Sequence, residues 1–399
     1  MALLLKIAPA DFMSASRDKR EISAAREVGF QVLTMCKGEK KDKGRREEID
    51  GFAVARYGTR PLGSSSVMRI PNKILSVLQW AHHARKLGPD AISGHDLPGL
   101  GIGYLSSLFR RKKPLLIYDA HEFEIGRNVK RNRIVKFLVL HLERFLIKRC
   151  AFSIMVNDSI ADRVMEVHKL KKRPLVVRNV SPYLDLDPQT IVARRKNFLK
   201  RLGVSKETFL LMYHGGLMQN RGIETLIHVV AAIENTAAII LGNGKAEYVD
   251  HLHDMCEKQG VRDRVLFLDT VLFSILSEYV GAADVGMVLI DKTSESYYLS
   301  LPNKFFENVQ ALTPMVASAF PEMKRLIDLY EIGLTVDPES QEDVLSAVRQ
   351  MQDDVELYQR FKNNLVQAKE DLCWENEKAV LIGAYRGVYT ELRACKGRG

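Results

Sequence analysis

The chain has 399 residues, 46% apolar and 27% charged, with a formal net charge of +10. That length exceeds one ordinary core and points to two domains, and the composition excludes disordered, collagenous and membrane-embedded classes. Five scattered cysteines, Cys36, Cys150, Cys256, Cys373 and Cys395, show no CxxC or CxxH spacing, which argues for a reducing compartment and against a structural metal.

The opening run MALLLKIAP is too short for a signal peptide and is interrupted by Lys6, so it reads as the first buried strand of a cytoplasmic protein. No stretch reaches the roughly 18 uninterrupted apolar residues of a membrane span. A polar helix over 17–28, Gly29 and the strand FQVLTMC complete a βαβ unit. The loop between them, PADFMSAS, is small and polar without being glycine-rich. The charge run from Lys37 to Asp50 reads as a solvated loop. An apolar-periodic helix covers 72–87, and PDAISGHD is a short strand ending in a loop with His95 and Asp96. KKPLLIYDAHEFE is a buried strand ending at Asp119, Ala120, His121 and Glu122. Carboxyl ends of parallel strands are where open α/β sheets bind ligands. Position alone leaves His121 as either a functional residue or a satisfied core side chain.

Residues 130–149 form an amphipathic helix with basic ends. Its apolar stripe, Ile134, Phe137, Leu138, Leu142, Phe145 and Leu146, is expected to face the core. The basic rim is the part expected to meet anionic lipid. FSIMVN is a strand, 158–169 a helix and PLVVRNV the last strand of this half. The connector SPYLDLDP and a basic helix over Arg194 to Lys206 put the boundary at 185/186. The domains are then 1–185 and 186–399, with the final helix able to return to the first. Asp185 and Asp187 form an Asp-x-Asp pair, but in a Pro-flanked connector rather than at a strand end, so no metal is expected there. Residues 1–180 carry 35 Lys+Arg against 18 Asp+Glu, and the remainder 24 against 31. A basic first half suggests that it faces a membrane surface, a pyrophosphate-linked acceptor or nucleic acid. The last is disfavoured, because basic and aromatic residues do not interleave.

The second half alternates more cleanly. FLLMYHGGL is a strand running into Gly215-Gly216, and Arg221 and Gly222 open a helix. AAIILGNG is a strand ending in the turn Gly242-Asn243-Gly244, with a helix over 245–259. RVLFLDTV, which includes Val271, a helix over 273–282 and ADVGMVLI follow. In SLPNKFFEN, Pro302 is expected at the first helical position, Ser300 as a cap, and Phe305, Phe306 and Val309 on the apolar side. Asn303, Lys304 and Glu307 then cluster near the helix start, where backbone N–H groups and an ammonium suit a diphosphate. A carboxylate one turn further in can accept from both hydroxyls of a ribose. TPMVASAF and GLTVD are strands, and the tail from 341 is helical. Two runs of this alternation make two doubly wound α/β domains.

The order HGGL…RGIETLI, LGNG, RVLFLDTV, AADVGMVLI and SLPNKFFEN resembles the retaining family-4 glycosyltransferases. IYDAHEFE and PLVVRN extend the likeness, more loosely, into the first half. The resemblance implies a GT-B fold, two Rossmann-like domains about a cleft, and transfer of a sugar from a UDP- or GDP-sugar to a lipid-linked or saccharide acceptor. It implies work in cell-surface polysaccharide synthesis at the inner membrane face, with the nucleotide-sugar as co-substrate and no metal. By that likeness Glu307 holds the ribose and Arg221 the diphosphate, the amides of Asn303 and Lys304 face the diphosphate, and His121 lies by the donor sugar. His121, Arg221 and Lys304 are then the catalytic candidates. Gly215, Gly216, Gly242, Asn243, Gly244, Val271, Ser300, Asn303 and Glu307 complete the donor site. The sequence departs from the family in three places. Leu299 stands where a second Glu is usual, and Gly216 where an Arg is usual, Lys304 being the expected substitute. Ser14-Ala15-Ser16 stands where a Gly-Gly loop is common. Two other readings share the architecture: a nucleotide-sugar epimerase and a catalytically silent binding protein.

Overall fold

Runs of five or six consecutive buried apolar residues, too short for core helices, form strands covered on both faces. The computed structural model describes residues 1–10, 12, 16–39, 41–59, 61, 69–127 and 131–396. Ser14 and Ala15, on which the first-loop departure falls, lie outside them. Contacts divide the chain into a first unit, Met1–Asn179 with Glu377–Gly399, and a second, Val180–Asn376.

The first unit holds β1 (Leu3–Ala8), α1 (Ser16–Val28), β2 (Gln31–Lys37), β3 (Lys43–Ile49), β4 (Phe52–Tyr57), α2 (Arg69–Leu87), β5 (Ala91–His95), α3 (Asp96–Ser107), β6 (Leu115–Asp119), α4 (Arg133–Ile147), β7 (Cys150–Met155), α5 (Asp158–His168) and β8 (Leu175–Val176). Its sheet runs β3-β4-β2-β1-β5-β6-β7-β8, parallel except for the β3–β4 pair. That pair corrects the expected loop over Lys37 to Asp50. Asp50 and Gly51 take φ of 50° and 78°, the two positive values a tight hairpin turn requires, and Asp-Gly is a strong signal for it. The charges of β3 lie on a sheet edge, where they discourage pairing with another chain.

Helix α3 is a second addition. Its sequence, DLPGLGIGYLSS, has three glycines and poor helix propensity, yet those glycines set its depth. A Cβ on Gly99 would stand 2.6 Å from the Ile7 carbonyl oxygen, and one on Gly103 2.8 Å from Ile92 Cγ2. Close packing on β1 and β5 outweighs propensity here.

Helix α4 corrects a third expectation. Only Leu146 of the stripe is buried, together with Ile147; Ile134, Phe137, Leu138, Leu142 and Phe145 are 41–70% exposed. Packing is confined to the last turns, where buried Glu143 accepts a 2.8 Å bond from Tyr118 Oη.

The second unit holds α6 (Pro188–Leu202), β9 (Phe209–His214), α7 (Ile223–Ala232), β10 (Thr236–Leu241), α8 (Ala246–Lys258), β11 (Val265–Leu268), α9 (Phe273–Gly281), β12 (Val285–Val288), α10 (Glu295–Tyr298), α11 (Asn303–Gln310), β13 (Met315–Ser318), α12 (Pro321–Tyr330), β14 (Gly333–Val336), α13 (Gln341–Asp353) and α14 (Val355–Asp371). Its parallel sheet runs β11-β10-β9-β12-β13-β14. The core between β9, β10, α7 and α13 includes Leu211, Leu226, Ile240 and Val348, each fully buried. Asp187 is taken up as the cap of α6, accepting from the amides of Gln189 and Thr190; α6 ends at Leu202 with Gly203 in the left-handed region, short of Lys206. The last helix, α15 (Trp374–Lys396), crosses into the first unit, where Tyr385 and Tyr389 pack edge-on against Phe30.

Gly99→Ala is expected to destabilise the first unit by about 1–3 kcal/mol, because the new methyl meets backbone rather than a movable side chain. Urea unfolding of the two proteins measures it, and equal midpoints contradict the close-packing account.

Candidate functional site

In the second unit the site begins with two strand ends pressed together. β9 runs into Gly215 and β10 into Gly242, with φ of 122° and 149°. A Cβ on Gly242 would stand 1.9 Å from the Gly215 carbonyl oxygen, so no other residue fits. The amide of Gly215 donates to Leu241 O at 2.9 Å, and that of Leu217 to Asn243 O at 3.0 Å. Gly244 bridges to Leu217. The turns predicted from Gly215-Gly216 and Gly242-Asn243-Gly244 are therefore one structure. A cavity of about 670 Å³ opens beside it, lined by Leu217, Asn243, Gly244, Lys245, Tyr248 and His251 among others.

Helix α11 supplies the charged groups. Phe305, Phe306 and Val309 are fully buried and fix its rotation. Pro302 is the N-cap rather than the first helical residue, and the helix has no side-chain cap. Ser300 donates to Tyr297 O at 2.7 Å instead of capping. That rotation turns Lys304 inward. Its Cε lies 4.0 Å from where a Cβ on Gly215 would be, and its Nζ 3.9 Å from the centre of the Tyr213 ring. Lys304 is 8% exposed and its Nζ has no hydrogen-bond partner among the described residues. Burial, reinforced by the Arg221 guanidinium, lowers its pKa to about 7, with Glu307 pulling the other way. Tyr213 Oη donates to Gly216 O at 2.7 Å, and burial pushes its pKa up to about 12. Arg221, half-buried, lies over the Tyr297 ring with its carbon 5.1 Å from the centre.

Glu307 is held by a residue to which sequence reasoning gave no role. His214, at the end of β9 and 3% exposed, places Nε2 2.8 Å from Glu307 Oε2. Its signal was its place at a strand's carboxyl end. Within the second unit the structure thus brings together Gly215, Gly216, Gly242, Asn243, Gly244, Arg221, Lys304 and Glu307. Asn303 lies at the exposed start of α11. Val271 is a half-buried neighbour of the core beneath α6 and α9, and Leu299 ends α10.

In the first unit His121 belongs to a buried charge network at the ends of β1, β5 and β6. Its Nε2 lies 3.1 Å from Asp119 Oδ2, its amide donates to Asp96 Oδ1 at 3.0 Å, and its ring centre is 3.8 Å from that of His95. Lys6 Nζ reaches Asp18 at 2.9 Å, Asp119 at 3.1 Å and Glu21. Arg17 joins Glu21 and Asp119 at 2.9 and 3.3 Å. Burial alone would depress Lys6, but the three carboxylates hold it well above the usual lysine range. Burial would likewise raise Asp119, and Lys6, His121 and Arg17 together hold it well below. Asp18, His95, Asp119 and His121 present ligand atoms within 4.8 Å of one another. Lys6 already bridges both carboxylates, so this donor set does not fit a divalent cation unless the ammonium leaves. As a network it fixes the His121 ring, Nε2 toward Asp119.

Lys304→Met is expected to stabilise the protein at pH 7. The folded Lys304 has a lowered pKa, so between about pH 7 and the ordinary lysine range the unfolded chain binds the extra proton. Wild-type stability therefore gains with rising pH through that window, and the advantage of the variant shrinks toward pH 10. Thermal unfolding at pH 7 and 9.5 measures it; a variant less stable than wild type at pH 7 contradicts an unpaired buried ammonium.

Residues 208–354 match the family model for glycosyl transferases group 1, and residues 21–179 that for glycosyltransferase family 4. An uncharacterised glycosyltransferase of Methanocaldococcus jannaschii is 25% identical over 242 residues, 58% of this chain and 59% of that protein. The chain thus spans less than two thirds of that relative. The sucrose-phosphate synthase of Thermosynechococcus elongatus superposes with a TM-score of 0.75 at 17% identity, covering 98% of this chain and all of that one. HepE of Anabaena, solved with UDP, gives 0.72 at 16%, covering 99% and 100%. With a family model matched on each half and the GT-B architecture shared along nearly its whole length, the chain belongs to the family-4 glycosyltransferases.

Proposed function

We propose that the protein transfers a sugar, with retention, from a UDP- or GDP-linked donor to a lipid-linked or saccharide acceptor in cell-surface polysaccharide synthesis. The observation that carries this reading is Lys304: a buried ammonium with no hydrogen-bond partner among the described residues, in the first turn of a helix whose N-cap, Pro302, offers no side-chain acceptor, and beside the glycine turns. A diphosphate supplies the missing charge and accepts from the helix amides. Arg221 is the second cation. Lys304 fills the role left open by Gly216, since its stem passes beside Gly215. Glu307, oriented by His214, receives the ribose hydroxyls. That HepE was solved with UDP and with UDP-glucose supports a uridine nucleotide.

In this scheme the bond from the anomeric carbon to the diphosphate oxygen breaks through an oxocarbenium-like state. The acceptor oxygen bonds on the same face, and its proton passes to the departing diphosphate. Lys304, Arg221 and the α11 amides stabilise the charge that develops there. The family likeness assigns His121, fixed by Asp119, to the donor sugar, and the scheme asks for no metal.

Glu307→Ala is expected to weaken UDP binding about 10- to 100-fold, the worth of hydrogen bonds to a charged group. Calorimetry with UDP tests it, and unchanged affinity removes the ribose clamp. His121→Ala is expected to lower transfer at least tenfold with little change in donor affinity. Radiolabelled donor supplied without acceptor separates the readings: an epimerase turns it over, a silent binding protein leaves it intact even with acceptor present.

Among the described residues no helix is long and apolar enough to cross a membrane. We place the protein on the inner face through α4, whose exposed Ile134, Phe137, Leu138 and Leu142 stand among Arg133, Lys136 and Arg149. Such a helix lies in the headgroup region with its apolar face down. Phe137→Ser/Leu138→Ser is expected to reduce co-sedimentation with vesicles at least tenfold, whereas wild type released by 0.5 M salt alone would assign the hold to charge.

A further inference from the structure

The first unit carries a second cavity, at the opposite end of its sheet from His121. It measures about 750 Å³ and lies between β7, the segment after α5, and α15. Strand β8 pairs only with Ile154 and Met155, so the outer edge of β7 from Cys150 to Ser153 has no strand beside it among the described residues. The floor is apolar, with Ile147, Phe152, Leu170, Leu175, Val380 and Val388 lining it. Gly383 and Gly387, four residues apart on α15, make the room: a Cβ on either would meet nothing within 4 Å.

The rim has the opposite character. Lys148, Lys169, Lys171 and Lys172 all line the cavity and all are exposed. Nearby Arg173 is neutralised by Asp158 and Asp162, but none of the four lysines has an ion-pair partner among the described residues. Among the described residues Glu391 is the one carboxylate lining the groove against them. Lys169, left-handed at φ 51°, ends α5 and turns the chain so that Lys171 and Lys172 follow on the same rim. Four uncompensated cations over an apolar trough match a molecule with an anionic head and a hydrocarbon tail. The trough is continuous with α4, since Ile147 and Lys148 at the end of that helix form part of its wall.

We propose that this groove is a binding site for an anionic phospholipid, with the phosphate among Lys148, Lys169, Lys171 and Lys172 and part of one acyl chain over Phe152 and Leu175. The site is separate from the nucleotide site and does not depend on the sugar-transfer reading; it extends the placement of α4 at a membrane. It makes that placement selective for lipid charge rather than for a bilayer of any composition.

The test fills the groove. Gly383→Leu/Gly387→Leu puts two side chains into open space and removes two glycines from a helix interior, which favours folding. Binding is measured by co-sedimentation at 0.15 M salt with vesicles of phosphatidylcholine alone and with 30% phosphatidylglycerol. Wild type is expected to prefer the anionic vesicles at least tenfold. The filled variant is expected to lose that preference while keeping its affinity for UDP and the residual binding that α4 provides. Lys171→Ala/Lys172→Ala is expected to lower the preference and flatten its salt dependence. Glycerophosphate at 10 mM, lacking a tail, is expected to leave vesicle binding unchanged; full competition would make this a phosphate site and overturn the lipid. A filled variant that prefers anionic vesicles as strongly as wild type overturns the groove. A filled variant that instead changes only the mass seen by light scattering assigns the groove to a second copy of the chain. If Phe137→Ser/Leu138→Ser abolishes all binding and the filled variant changes nothing, α4 stands and the groove falls.

Discussion

A buried positive charge needs a negative one, and this chain resolves that constraint in two opposite ways. In the first unit Lys6 lies among three carboxylates and is held charged. In the second unit Lys304 is also buried, sits against an aromatic face and has no hydrogen-bond partner among the described residues, with its pKa lowered to about 7. The first arrangement is self-sufficient and gives rigidity. The second leaves the charge only partly compensated, by Glu307. The rotation of α11 holds that ammonium over the Tyr213 ring and its stem beside Gly215, away from solvent.

The contrast also explains why His121 and His214, both at strand ends, carry different partners. His121 leans on Asp119, which is itself locked by Lys6 and Arg17, so its ring orientation is inherited from a network reaching back to α1. His214 leans on Glu307, a carboxylate with no other ion-pair partner among the described residues and still partly open. One histidine is positioned by its carboxylate; the other positions its carboxylate. A carboxylate gripped on one oxygen keeps the other available as an acceptor, which is what a pair of vicinal hydroxyls requires.

How far the sequence disclosed this depends on the kind of signal. Strands β9, β10, β12 and β13 are short apolar runs bounded by glycine or polar residues, and such runs are legible because burial on both faces leaves no room for polar side chains. The turn at Gly215 and Gly242 was legible as two separate features; that they touch is a matter of sheet register, which no local pattern encodes. Helix α3 was hidden because its glycines lower helix propensity, and the compensating contact with Ile7 lies in a distant strand. The β3–β4 hairpin was hidden by its own charges, although Asp50-Gly51 carried the turn. Lys6 read as an interruption of an apolar run, since its three counter-ions come from α1 and β6. His214 stood in plain view inside HGGL, but its role needs the partner 93 positions away.

Helix α4 shows the limit of periodicity itself. An apolar stripe states that one face avoids water, not what covers it. In this chain the stripe stays uncovered over most of its length, and the uncompensated lysines gather at its end rather than along the acidic second half. Net charge by itself would allow any polyanion there. The pairing of that charge with exposed Ile134, Phe137, Leu138 and Leu142 is the ground on which an amphiphilic surface is proposed, because nucleic acid offers no counterpart to an aliphatic stripe and a soluble diphosphate offers none to its area. Charge asymmetry and exposed apolar area, each weak alone, support the proposed membrane surface only when taken together.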